Sequence, residues 1–245
     1  MTDEHDWVYL PGAPNGGGAR DIIAVHMDET NNTTGVHILD AASGYSRFKG
    51  EYFTALPAVT PNEWSFTLGH INANGLPDII AINTSDGTHT GIHVLDGSTN
   101  YHSFKLETYS VLPAVSVDQW KFVSGADNSN GLADVIAINL ADAGHTGVHV
   151  LDGSRKYSAM KLETYTALPQ LSPVEWAFGT QYTNTGDLPD IYAIHLDETA
   201  TSTGVHVITA ASGYTKTGLE DYSALPKTTN QQFQFGSDPY NSLSH

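Results

Sequence analysis

A β-propeller of four four-stranded blades is the fold this sequence predicts, on three observations. One unit recurs four times with almost fixed spacing. Each copy reads as four short strands with no helical period. The copies fill nearly all of the 245 residues. A fixed period of this size is the mark of a repeat architecture, in which one unit cannot bury its own faces and must stack on its neighbours.

The repeat is clearest from Pro77, PDIIAINTSDGTHTGIHVLDGS, with relatives starting at Arg20, Ala133 and Pro189. Trp7, Trp64, Trp120 and Trp176 open the copies at steps of 57, 56 and 56 residues. An Asp follows each Trp by 14 residues (Asp21, Asp78, Asp134, Asp190). A TG-[VI]-H motif then brings His37, His93, His149 and His206, and an aromatic follows at Tyr45, Tyr101, Tyr157 and Tyr214. Leu-Pro pairs at Leu56, Leu112, Leu168 and Leu225 close the units. The polar segment before TG-[VI]-H is one residue longer in copies one and four, which also carry His26 and His195 where copies two and three have Asn83 and Asn139.

The second copy justifies the elements in order. WSFTL alternates large apolar and small polar residues, so it is a strand with one buried face. GHINANGLP is a Gly/Asn turn. DIIAIN is apolar on both faces, a fully buried strand. TSDGTHT is a polar loop and GIHVLD a third strand. GSTN is a tight turn, and YHSFKLETYSVL is a fourth strand whose Lys and Glu suit an exposed edge. Four such strands, repeated, are the pattern of a propeller blade. The predicted units are 7–63, 64–119, 120–175 and 176–231 of a single domain over 7–245. The segment QFQFGSDP repeats the first strand alone, so 232–238 is predicted as a closing strand.

Composition narrows the function. A net charge of −17 argues against nucleic acid or an anionic membrane as partner, since both select basic surfaces. It suits neutral ligands or cations. No apolar run is long enough for a transmembrane helix. The acidic start MTDEHDW reads as no signal peptide in this chain, so a soluble protein is expected, cytoplasmic or secreted. Zero Cys removes disulfides, thiolate metal sites and Cys nucleophiles.

The pattern W-x-F, an Asn/Gly turn, L-P-D-[IVL]-I-A-I and HVLDGSxxY resembles the FG-GAP and VCBS-type propeller repeats of extracellular and surface proteins, from Trp7 to about Asp238. The resemblance implies the propeller fold, and adhesion, lectin or enzyme-appendage roles. It also implies a calcium loop, D-x-[DN]-x-D-G-x-x-D, of which the last Asp survives as Asp21, Asp78, Asp134 and Asp190, and the Gly as Gly18, Gly75 and Gly131. The earlier acidic ligands are replaced: His70, Asn72 and Asn74 in copy two; Ala126, Asn128 and Asn130 in copy three. Calcium wants six to eight oxygens with carboxylates among them. These loops therefore read as Asn-Gly turns or as weak sites for calcium or another cation. No cofactor is required.

The repeated His reads as structural, bonding between blades, or as a ligand. The adjacent carboxylates Asp28–Glu29 and Asp197–Glu198 read as solvated loop. No nucleophile elbow, phosphate loop or His-Glu-x-x-His motif is present. The remaining chemistry is recognition. Strand alternation brings the link before each Trp and the polar loop to one end of a blade. That end gathers Trp64, Asp86, Thr88 and His89, and likewise Trp120, Asp142 and His145. In the outer copies it gathers Trp7, Asp28 and Asn31, and Trp176, Asp197 and Thr201. An aromatic plane beside Asp and His suits a sugar; the competing reading makes each Trp blade core. The expectation is a non-enzymatic, multivalent carbohydrate-binding protein (a lectin) with glycans or glycoproteins as partners and homo-oligomers open. The alternatives are a protein-adhesion or structural propeller, and, further off, an enzyme or its appended domain.

Overall fold

The computed structural model describes residues 6–14, 20–182, 187–199 and 201–229. Its elements are β1 (Trp7–Pro14), β2 (Arg20–Glu29), β3 (Thr33–Leu39) and β4 (Phe48–Pro57); β5 (Trp64–Ile71), β6 (Pro77–Asp86), β7 (His89–Leu95) and β8 (Phe104–Pro113); β9 (Trp120–Asp127), β10 (Ala133–Asp142), β11 (His145–Leu151) and β12 (Met160–Pro169); β13 (Trp176–Gln181), β14 (Asp190–His195), β15 (Ser202–Ile208) and β16 (Thr217–Pro226). Each group of four forms one antiparallel sheet in sequence order. The fold class is the expected one: all-β, with four four-stranded blades of a β-propeller. The described residues contain no α-helix, only short 3-10 turns between the third and fourth strands. The proposed closing strand at 232–238 and Gly18 lie outside the described residues.

The chain divides into two compact units, Met1–Val117 and Asp118–His245, each holding two blades. In the first, Ile23, Val25, Val36 and Ile38 of β2 and β3 pack with Phe66, Leu68, Ile79, Ala81 and Leu95 of the next blade. In the second, Val123, Ile136, Ile138, Val148 and Val150 pack with Trp176, Phe178, Ile191 and Ala193. The second strand of each blade is apolar on both faces because both are covered: β6 is buried from Pro77 to Ile82. The fourth strand alternates, with Lys105, Glu107 and Tyr109 of β8 exposed on one face.

The third-to-fourth connection explains HVLDGSxxY. The Asp96 carboxylate accepts from Ser98 N at 2.8 Å, capping the 3-10 turn; Asp40 and Asp152 do the same. Two successive left-handed residues then reverse the chain, Asn100 (φ 56°) and Tyr101 (φ 65°), which turns the ring into the core. Tyr101, Tyr157 and Tyr214 are fully buried. Tyr157 and Tyr214 donate their hydroxyls to the carbonyls of Ala133 (2.9 Å) and Pro189 (2.8 Å).

The segment expected as a polar loop is mostly ladder. Asp86 pairs with His89 across a two-residue turn, as Asp142 does with His145. Gly87 adopts φ 66° there, the left-handed conformation glycine tolerates best. In blade one Glu29 pairs with Thr33 across three residues. The extra residue therefore lengthens the turn and leaves the strands in register.

Candidate functional site

Each residue of TG-[VI]-H has a separate task. The Thr hydroxyl ties the hairpin to the Leu-Pro end of the fourth strand: Thr34 donates to Pro57 O (2.8 Å), Thr90 to Pro113 O (2.7 Å) and Thr146 to Pro169 O (2.6 Å). The Gly makes room for a carboxylate. A Cβ on Gly91 would lie 2.8 Å from Asp86 Oδ2, and on Gly147 2.5 Å from Asp142 Oδ2; Glu29 and Glu198 fold over Gly35 and Gly204 in the same way. The carboxylate crosses the glycine towards the motif's His.

The result is a cluster on one face of every blade. In blade two, His93 sits between Asp86 (4.0 Å) and Glu107 (3.3 Å), with the Trp64 ring behind it at 5.2 Å. In blade three, His149 lies 3.3 Å from Asp142 and 3.5 Å from Glu163, with Trp120 at 5.0 Å. Cross-strand register also sets Tyr109 opposite Gly91, Tyr165 opposite Gly147, Tyr222 opposite Gly204 and Phe53 opposite Gly35. All four aromatics are roughly half or more exposed. His89 and His145, exposed at the start of their strands, tilt against Tyr109 (5.6 Å) and Tyr165 (5.7 Å). In blade four, Glu198, His206, Glu220, Asp221 and Tyr222 line a pocket of about 400 Å³.

The outer blades differ at the tryptophan. His26 stacks on Trp7 (4.2 Å, 4°) and His195 on Trp176 (4.4 Å, 4°), where the inner blades place Asn83 and Asn139. Glu29 Oε2 lies 3.1 Å from His26 Nδ1 and 2.9 Å from His37 Nε2. Glu198 Oε2 lies 2.6 Å from His195 Nδ1 and 3.1 Å from His206 Nε2. The Thr30 backbone N–H, donating to Glu29 Oε1 at 3.0 Å, holds that carboxyl down to about 2; burial opposes and the two histidines assist. Burial pushes Glu198 up, but hydrogen bonds from His206 and His195 outweigh it and leave the carboxyl lowered.

Of the residues singled out from sequence, Trp64, Asp86 and His89 converge around Gly91, and Trp120, Asp142 and His145 around Gly147. Trp7 and Trp176 each have a face covered by histidine, and Trp176 belongs to the core, 8% exposed. It is Glu29 and Glu198, one residue beyond Asp28 and Asp197, that take the place of Asp86 and Asp142, and neither is a solvated loop carboxylate. Asp28 is exposed, and Asp197 pairs with Lys227 at 2.6 Å. The exposed fourth-strand aromatics and Glu51, Glu107, Glu163 and Glu220 were not foreseen. Their signal was the alternation of the fourth strand, read only as an edge.

The aspartates expected as cation ligands are buried and engaged. Asp78 Oδ1 accepts from Asn72 Nδ2 (2.6 Å) and Gly97 N (3.0 Å), and Oδ2 from Lys105 (2.7 Å). Asp134 repeats this with Asn128, Gly153 and Lys161. Asp21 accepts from Ala41 N and Lys49, and Asp190 from Ala210 N. Gly75 (φ 80°) and Gly131 (φ 74°) close the preceding loops as Asn-Gly turns. A lysine ammonium thus satisfies the carboxylate in three blades.

No protein-family model matches the chain, and no curated protein matches it.

Proposed function

We propose that the chain is a non-enzymatic carbohydrate-binding protein with several similar sites, one on an exposed face of each of several blades. The observation that carries this reading is the exposed tyrosine beside two carboxylates and two histidines in blade two: Tyr109 with Asp86, Glu107, His89 and His93. A sugar's C–H face stacks on an aromatic ring, and its hydroxyls need oriented acceptors and donors, which these groups supply. Blade three repeats the set with Tyr165, Asp142, Glu163, His145 and His149. A neutral ligand also tolerates a chain of net charge −17. Each site alone would be weak, and repetition would supply avidity. The likeness to FG-GAP and VCBS-type repeats is compatible with such a role. The recurrence of one constellation favours recognition over catalysis, which uses a single unique site.

A glycan array probed with the full chain tests the proposal. A signal on neutral glycans, competed by the free sugar, is expected. No signal on any glycan would overturn it in favour of a protein-adhesion role for the same exposed strands.

A further inference from the structure

We propose that His26, Glu29 and His37 form a binding site in blade one for a zinc-class divalent transition-metal ion. One nitrogen from each histidine and one carboxylate oxygen lie within 4.8 Å of one another, with Glu29 Oε2 2.9 Å from His37 Nε2 and 3.1 Å from His26 Nδ1. An ion with bonds of about 2.0–2.1 Å sets adjacent ligand atoms about 2.9–3.4 Å apart; the two Glu29–histidine contacts fall in that range, and the two histidine nitrogens lie within 4.8 Å of each other. Two imidazoles and a carboxylate are a zinc ligand set that calcium and magnesium, which want oxygen, do not favour.

The hydrogen bonding of His37 is compatible with that role. A neutral imidazole has a single N–H. His37 turns both nitrogens to carboxylates, Nδ1 to Glu51 at 3.3 Å and Nε2 to Glu29 at 2.9 Å. With Nδ1 donating to Glu51, the Nε2 lone pair is free to bind a metal ion, with the Glu29 carboxylate beside it. Histidine ligands commonly donate their second nitrogen to a carboxylate, which is the place Glu51 takes here. The ring of Trp7 stacked on His26 fixes that ligand's plane. In blade four His195, Glu198 and His206 meet through the same contacts, with Glu220 in the place of Glu51. The inner blades lack the second histidine, and there His93 Nε2 has no hydrogen-bond partner.

The test uses the full chain carrying His195→Asn, so that only blade one keeps the set. Asn is what blades two and three carry opposite Trp64 and Trp120, so the substitution suits the fold. Zinc is added, free metal is removed by desalting, and bound metal and the melting temperature are measured. Retention of about one ion per chain with a raised melting temperature is expected, lost when His26→Asn or Glu29→Gln is added and not reproduced by calcium. Zinc retained equally after His26→Asn, or not retained by the His195→Asn chain, would overturn the site.

Discussion

Lys105 Nζ lies 2.7 Å from Oδ2 of Asp78, a carboxylate only 1% exposed. The pair ties the edge strand β8 to β6, while the other oxygen of Asp78 holds the Asn72 turn and the backbone N–H of Gly97. Removing the carboxylate strands a half-buried ammonium and two donors. Leaving donors unsatisfied at a buried site costs about 1–3 kcal/mol each, so Asp78→Ala is expected to lose stability of that order in urea unfolding. Calcium should not raise the melting temperature of the wild type. A rise that Asp78→Asn abolishes would show that the ion displaces the lysine.

Gly91 supplies room for a side chain that is not its own. Alanine there would put a Cβ 2.8 Å from Asp86 Oδ2 and 3.2 Å from His93 Nε2. The only one of these atoms nearer than 3.0 Å, Asp86 Oδ2, is the end of a movable side chain, so Gly91→Ala should cost only about 1 kcal/mol, the low end for overpacking. Its larger effect should be to expel the carboxylate from the histidine and weaken ligand binding at blade two. Denaturant melts and ligand titration of one variant separate the two effects.

The buried tyrosines give a prediction at alkaline pH. Burial, with the charge of Asp78 adding, raises the Tyr101 phenol; burial, with Asp190 adding, raises that of Tyr214. Below the ordinary value near 10 both folded and unfolded chains keep these phenols protonated, and the stability is fully present. Above it the unfolded chain ionises first, so stability falls as pH rises. Absorbance titration should show Tyr101 and Tyr214 ionising only as near-UV circular dichroism is lost. Ionisation of Tyr101 and Tyr214 with the fold intact would contradict this packing.

The fold was legible because blade architecture is written in local pattern: both-face apolarity in DIIAIN, alternation in KLETY, the capped turn of LDGS. The site was half legible. Asp86 and His89 stood out as polar residues at a strand junction, but Tyr109 reaches them only through β7–β8 register, which sets it opposite Gly91, 18 positions away. Glu29 was assigned to solvent because it adjoins Asp28 in a polar run; pairing with Thr33 turns it inward over Gly35. For the repeated Asp the sequence leaves an Asn-Gly turn or a weak cation site open, because the lysine that meets Asp78 lies 27 residues away, on another strand.

If the fourth-strand tyrosines are the sugar platform proposed above, calorimetric titration of the paired variant Tyr109→Ala/Tyr165→Ala against wild type, with the best glycan-array sugar, will show it. Both residues are more than half exposed, so stability should move by only about 0.5 kcal/mol. Loss of an aromatic contact of about 0.5–1.5 kcal/mol weakens each altered site by about two- to tenfold. Affinity reduced in that range with the melting temperature unchanged is the predicted result; equal affinity and stoichiometry in both proteins would contradict the claim.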